Sequence, residues 1–203
     1  MAEFIYLASQ SPRRSQLLEQ LGVRHELLLP DPDEDVEALE AVKANEAPGT
    51  YVKRVTRLKL NAAIERLKCR GLPAAPILCS DTTVALGRVI YGKPEDANDA
   101  RRMLSELAGS THRVLTAVAV QASGKADRRF EALSTSHVSF DAMTAAQIRA
   151  YVAGGEPMGK AGAYAVQGRA AMHITRINGS YSGIMGLPIR ETARLLNSAG
   201  IKI

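Results

Sequence analysis

Hydrophobic positions in this chain fall into short blocks separated by turn-forming and charged clusters, and their spacing alternates between strand-like and helix-like periods. Phe4 to Ala8 is an apolar run that predicts a buried strand. Ser11-Pro12 then supplies an N-cap and a proline at the first helical position, Leu17, Leu18 and Leu21 recur at helical spacing, and Gly22 stops the helix. Arg24 to Leu29 reads as a second strand. The acidic stretch Asp31-Pro32-Asp33-Glu34-Asp35 follows as a loop, because its prolines exclude regular structure. A long helix is expected over Pro48 to Cys69, with Tyr51, Val55, Leu58, Ala62 and Leu67 as its apolar stripe and Gly71 and Pro73 beyond its end.

Pro76 to Ser80 predicts a short strand ending at Asp81. Thr83 to Leu86 and Val89 to Tyr91 flank Gly87-Arg88 as a hairpin, and Asp96 to Leu107 reads as a helix closed by Gly109. Arg113 to Ala122 and Arg129 to Phe140 are long alternating stretches, expected as strands joined by a turn at Ser123-Gly124-Lys125. Thr144 to Val152 is helical with its N-cap near Thr144. A glycine-rich segment from Gly154 to Gly168, a strand near Ala171 to Ile177, a loop and a last helix from Pro188 to Asn197 complete the chain. Strands and helices interleave throughout and no repeat or linker intervenes. The expectation is a single α/β domain over residues 1–203.

Composition narrows the classes of partner. A hydrophobic fraction of 46% and a charged fraction of 23% are ordinary for a globular protein. Twenty-six basic against 21 acidic residues leave a formal charge of +5, compatible with an anionic ligand but too dispersed to demand nucleic acid. With no Trp, three Phe and six Tyr, platforms for stacking bases are scarce, so no nucleic-acid partner is expected. No apolar run approaches the ~20 residues of a membrane span. The start lacks a basic segment followed by a long apolar one, so neither a signal peptide nor a membrane partner is expected. Cys69 and Cys79 form no Cys-x-x-Cys pattern, which predicts buried, reduced thiols in a cytoplasmic protein.

Several groups carry chemistry. The helix opening at Pro12 presents free N–H groups beside Arg13 and Arg14, a place that suits phosphate. Asp81 stands where an apolar strand is expected to end, with the hydroxyls of Thr82 and Thr83 beside it, and Glu34 is a second candidate carboxylate. Lys93, between Gly92 and Pro94, can meet a phosphate as a point charge, although the segment is no P-loop. Lys59 reads as a cation on the surface of the long helix. From Glu156 to Gly168, glycines permit close approach of backbone to a ligand, Lys160 offers a charge, and the Gln167 amide can both donate to and accept from a nucleobase edge. The four histidines are widely spaced, and no Gly-x-Ser-x-Gly elbow supports a serine nucleophile. Cations for phosphates, with carboxylates to hold Mg²⁺ or activate water, describe phosphoester or phosphoanhydride hydrolysis.

Leu7-Ala8-Ser9-x-Ser11-Pro12-Arg13-Arg14, Ser80-Asp81-Thr82-x-Val84, Gly92-Lys93-Pro94, Lys160-Ala161-Gly162-Ala163-Tyr164-x-Val166-Gln167-Gly168, Ile177-Asn178-Gly179-Ser180-Tyr181 and Gly186-Leu187-Pro188 occur in this order. With them the chain resembles the Maf (septum formation) nucleotide pyrophosphatases, from about residue 4 to residue 197. The resemblance implies a mixed α/β fold related to the inosine triphosphate pyrophosphatases, with two lobes about a central cleft. It implies conversion of a nucleoside triphosphate to the monophosphate and pyrophosphate with a divalent cation, Mg²⁺ or Mn²⁺, in a homodimer. By position, the resemblance implies that Asp81 is the proton acceptor and Lys93 a catalytic cation, that Ser9, Arg13, Arg14, Lys59 and Lys160 bind phosphates, and that Glu34 and Asp81 hold metal. Arg13, Thr82 and Gln167 match positions tied to substrate choice, and Gln167-Gly168 resembles the branch acting on dTTP and UTP. The branch acting on 7-methyl-GTP tends to carry glutamate there. Two residues depart from the family pattern: Gly159 stands where aspartate usually precedes Lys160, and Ala165 replaces a frequent glycine. The alternative to the dTTP/UTP reading is a 7-methyl-GTP pyrophosphatase, or a nucleotide-binding regulator of cell division whose hydrolysis is incidental.

Overall fold

The computed structural model describes residues 3–32, 34–123 and 128–203. Strands β1 (Ile5–Leu7), β2 (His25–Leu27), β3 (Ile77–Leu86), β4 (Val89–Tyr91), β5 (Thr111–Gln121), β6 (Arg129–Phe140) and β7 (Ile174–Asn178) form one mixed sheet. Their order is β2-β1-β3-β5-β6-β7, with β4 attached to β3. β1 runs parallel to both β2 and β3, and the remaining pairings are antiparallel. The helices are α1 (Pro12–Gln20), α2 (Pro48–Cys69), α3 (Ala97–Leu107), α4 (Ala145–Ala153), α5 (Tyr181–Met185) and α6 (Ile189–Ser198). Among the described residues no helix is long and apolar enough to cross a membrane. The turn expected at Ser123-Gly124-Lys125 and Asp33 of the acidic loop fall in whole or part outside the described residues.

Local chemistry explains most boundaries. α2 opens with Pro48 at its first position, where a missing N–H costs nothing, and spans the expected residues. α3 begins where the Asp96 carboxylate accepts from the Asp99 N–H at 2.8 Å. α4 begins with a capping box between Thr144 and Gln147.

Alternation along β3 sends its side chains to two different cores. Ile77, Cys79 and Ala85 face α2, packing with Tyr6, Leu60, Ala63, Tyr51, Val52 and Val55. Leu78 and Val84 face the other way. Leu78 packs with Leu17, Leu18 and Leu196 from α1 and α6, whereas Val84 packs with Met103, Leu104, Leu107, Ile148 and Tyr151 from α3 and α4. That second face therefore carries two separate helical blocks.

Five expectations need correction. β3 does not end before Asp81 but runs ten residues through it, because β-branched Thr82, Thr83 and Val84 extend the strand past the charge. The buried stripe of α2 is centred on Val52, Val55, Thr56, Leu60, Ala63 and Arg66, while Leu58, Ala62 and Leu67 are only half-buried. The buried face thus passes through polar residues that a hydrophobic pattern skips. Cys79 is buried, but Cys69 is exposed at the end of α2. The loop after β7 contains α5, begun by Ser180 Oγ accepting from the Gly183 N–H at 3.0 Å. Finally, Arg169–His173 form a 3₁₀ turn rather than the start of β7.

Candidate active site

Opposite β5, the edge of β3 is only partly covered. β1 pairs with it no further than Leu78, and β4 begins to pair only at Val84. Residues 79–83 lie in the gap between these two short neighbours. The chain leaving β1 passes Ala8 and Ser9 on its way to Arg13, and the chain leaving β4 passes Gly92 to Lys93, so both lead to this gap. Asp81 is reachable because its neighbours stop, not because its own strand does.

A cavity of about 1090 Å³ opens here. It is lined by every residue singled out from the sequence: Ser9, Arg13, Arg14, Glu34, Lys59, Asp81, Thr82, Lys93, Lys160 and Gln167. Asp81 projects toward α2, where the Lys59 Nζ donates to Asp81 Oδ1 at 2.6 Å and to Glu40 Oε1 at 2.6 Å. Lys59 is no surface cation, since its side chain is 16% exposed. Burial works to lower the Lys59 pKa, but the carboxylates of Asp81 and Glu40 together hold it above the ordinary value. For Glu40, burial pushes the other way, and the nearby Lys59 and Lys93 keep its pKa below the usual range. Lys93 Nζ lies 3.5 Å from the same Glu40 oxygen. The Glu40 backbone is fixed in turn, because the Tyr51 hydroxyl donates to its carbonyl at 2.9 Å.

Glu40, at the end of the 3₁₀ turn Glu37–Glu40, is the residue that sequence reasoning missed. Its acidic neighbourhood resembles any solvated surface, and only folding brings it to Lys59. Glu34 sits differently from expectation. Arg66, projecting from the same helix as Lys59, donates to its two oxygens at 2.8 and 2.5 Å, and Glu34 Oε1 also accepts from the Asp31 N–H. These contacts, led by the Arg66 hydrogen bonds, pull the Glu34 pKa down to about 2. Glu34 lines the same cavity as an arginine's partner, not in the Asp81–Lys59–Glu40 cluster.

The two arginines of α1 are oriented by α5. Arg14 Nε donates to the Gly186 carbonyl at 2.9 Å and its Nη1 to Ser9 Oγ at 3.0 Å, while Arg13 Nε donates to the Met185 carbonyl at 3.3 Å. Burial lowers the Arg14 pKa, yet a guanidinium remains charged at neutral pH. Thr82 points to the opposite face of β3 from Asp81, its hydroxyl 3.0 Å from that of Thr116, which donates to the Gly183 carbonyl.

The far wall is the glycine-rich segment. Gly162 (φ +69) donates its N–H to the Gly92 carbonyl at 3.0 Å, and a Cβ there would lie 2.8 Å from a methyl of Val84. Only glycine meets both the backbone angle and the close approach. Lys160 Nζ donates to the Glu156 carbonyl at 2.5 Å, and burial lowers its pKa, with Arg13 adding to the effect. Gln167 is exposed to the cavity. Gly159 has a φ of +71 with open space around its Cα, so the replacement of the family's aspartate also fits a turn.

The Mg²⁺ or Mn²⁺ expected from the resemblance can be judged on the donor set. No group of three or more His, Cys, Asp or Glu side chains gathers as a metal cage among the described residues. However, Asp81 Oδ1 and Glu40 Oε1 both touch one ammonium. Two carboxylates meeting at one point, beside a cavity lined with cations, suit an ion that keeps several of its waters.

Relatives extend along the whole chain. A protein from Albidiferax ferrireducens named dTTP/UTP pyrophosphatase is 70% identical over 203 residues, covering 100% of both chains. One of the same name from a Polaromonas species is 71% identical over 202 residues, covering 100% of this chain and 98% of its own. Another, from Cupriavidus metallidurans, is 61% identical over 99% of each. Among solved structures, a HAM1 protein from Coxiella burnetii superimposes on 68% of this chain and 73% of its own, with a TM-score of 0.43 at 13% identity. Residues 4–199 match the Maf-like protein family throughout, and the chain belongs to it.

Proposed function

We propose that this protein is a nucleoside triphosphate pyrophosphatase that hydrolyses dTTP and UTP to the monophosphate and pyrophosphate. The observation that carries this reading is the Asp81–Lys59–Glu40 cluster at the gap in the sheet, within one cavity that also gathers Arg13, Arg14, Lys93 and Lys160. The full-length relatives bearing the dTTP/UTP pyrophosphatase name support the choice of substrate.

In this reading Asp81, beside Lys59, accepts a proton from water as the water oxygen attacks the α-phosphorus. The new P–O bond forms as the bond from the α-phosphorus to the bridging oxygen breaks, and pyrophosphate leaves with that bond's electrons. Arg13, Lys93 and Lys59 face the charge that builds on the phosphate oxygens. Asp81 and Glu40 would hold the divalent cation, with Glu34 instead keeping Arg66 and the acidic loop in place. When bound, that cation supplies charge neutralisation for the phosphates. Gln167 on the far wall, and Thr82 on the opposite face of β3 from Asp81, read the base. A pyrimidine edge with one carbonyl and one N–H suits a neutral amide. Free thiols at Cys69 and Cys79 agree with a cytoplasmic setting.

A panel of dTTP, UTP and 7-methyl-GTP, assayed for pyrophosphate with Mg²⁺, Mn²⁺ or EDTA, tests the reading. Release from dTTP and UTP that EDTA abolishes is the expected result. Intact dTTP after prolonged incubation with metal overturns it, and preference for 7-methyl-GTP reassigns the base.

A further inference from the structure

Glu156 lies behind the wall that carries Lys160 and Gln167 and does not itself line the cavity. Its carboxylate is nonetheless held at both oxygens. The buried Tyr151 hydroxyl donates to Oε1 at 2.7 Å and the Arg169 backbone N–H donates to Oε2 at 3.0 Å. Its carbonyl takes the Lys160 ammonium. Glu156 therefore ties the start of the segment to residues before and after the turn that bears Gln167. That turn is closed by the Gly168 N–H donating to the Ala165 carbonyl at 3.0 Å.

Gly168 explains the arrangement from the other side. Its φ of −101° and ψ of −159° are open to any residue, so backbone freedom is not why glycine stands there. Space is the reason. A Cβ at this position would lie 2.6 Å from Glu156 Oε2 and closer still to Oε1. The carboxylate occupies the volume that any larger side chain needs, and it packs directly on the residue following Gln167. Burial alone would raise the Glu156 pKa, but the Arg169 N–H and the Tyr151 hydroxyl keep it low, so the clamp stays charged.

We propose that Glu156 is a positioning residue for nucleobase choice: it fixes the turn from Ala165 to Gly168, and with it the Gln167 amide, while anchoring Lys160. This rests on the reading above in which Gln167 faces the base. It predicts that Gly168 and Glu156 act as one unit.

The test compares the natural protein with Glu156→Ala, Glu156→Gln, Gly168→Ala and the Glu156→Ala/Gly168→Ala pair. Three quantities are measured: kcat/KM for dTTP and 7-methyl-GTP, the Kd of each nucleotide, and competitive inhibition by inorganic tripolyphosphate. Glu156→Ala should cut the dTTP to 7-methyl-GTP ratio at least fivefold, mainly through KM. Inhibition by tripolyphosphate, which has no base, should stay within about twofold of the natural protein's. Glu156→Gln, which keeps the shape and can still accept from Arg169, should recover most of the ratio. Gly168→Ala alone should resemble Glu156→Ala, and the pair should be no worse than Glu156→Ala. An unchanged ratio in Glu156→Ala, equal losses for tripolyphosphate and dTTP, or additive losses in the pair each overturn the proposal. Natural protein that leaves dTTP intact overturns the hydrolase reading only, because the Kd ratio still reports on Glu156.

Discussion

At one end of the cavity Asp81, Lys59 and Glu40 stand on β3, α2 and a 3₁₀ turn, and they are held by one another's charges. At the other end Lys160 and Gln167 stand on a loop held by hydrogen bonds to backbone atoms and to the Glu156 carboxylate, whose glycines leave room for neighbouring side chains. The first end is an ionic cluster braced by the long strand and helix of the core. The second is a shaped surface kept in place by hydrogen bonds and close packing behind it. Bond-breaking groups demand fixed charge, and base recognition demands fixed shape. On the proposed function, the same cavity meets the two demands with different materials.

Breaking the ionic end should have the largest effect. Asp81→Asn keeps the side chain's size but removes the proposed proton acceptor, and kcat for dTTP should fall by about 10²–10⁴-fold with KM little changed. Single-turnover pyrophosphate release measures this, and retained turnover would remove Asp81 from the chemistry. Lys59→Met should come next. It leaves the Asp81 and Glu40 carboxylates facing each other in a half-buried site, for an expected loss of about 3 kcal/mol in denaturant unfolding. Added Mg²⁺ should raise the Tm of this variant more than that of the natural protein, because a cation replaces the missing one.

Shape-end changes should be smaller and of another kind. Gly162→Ala forces a side chain into a positive φ and against Val84, costing about 1–3 kcal/mol and raising KM for dTTP more than it lowers kcat. A smaller effect concerns His112, which sits behind this wall with its Nε2 2.8 Å from the Tyr164 hydroxyl. Burial pushes its pKa down to about 4 from 6.5. The unfolded chain therefore takes up a proton at higher pH than the folded one does. The stability tied to neutral His112 is fully present above about pH 6.5 and is lost as pH falls toward 4. His112→Gln should flatten that portion of the curve of Tm against pH, and an unaltered slope would rule out His112 as its source.

The sequence made the local elements legible where their chemistry is local. Proline at the start of α2, Asp96 at the start of α3 and Thr144 before α4 each mark a boundary within a few residues. Arg13, Arg14, Lys93, Lys160 and Asp81 were legible from motifs, Lys59 only through the family resemblance, and all of them line one cavity. What stayed hidden depends on distant partners. Glu40 meets Lys59 nineteen positions away and Lys93 farther still, and nothing in its own surroundings distinguishes it from a solvated acid. A charge inside an apolar run suggested that β3 ends at Asp81, although the threonines after it favour continuation. Polar Lys59 and Arg66 on the inner face of α2 were the one periodic sign that this helix serves a site as well as a core.

The uncovered edge of β3 has a consequence for its peptide groups. Leu78 turns its carbonyl toward β1, where it accepts from the Ala8 N–H. By the alternation of a strand, Ser80 and Thr82 send their amide and carbonyl groups in that same direction, to a place where no strand answers them. Asp81, between them, keeps its own main chain tied to β5. Its carboxylate can exchange one partner for another while the rung beneath it stays still. Lengthening β1 and β4 by a pair of residues each would complete the ladder, and the completed ladder would wall off Asp81.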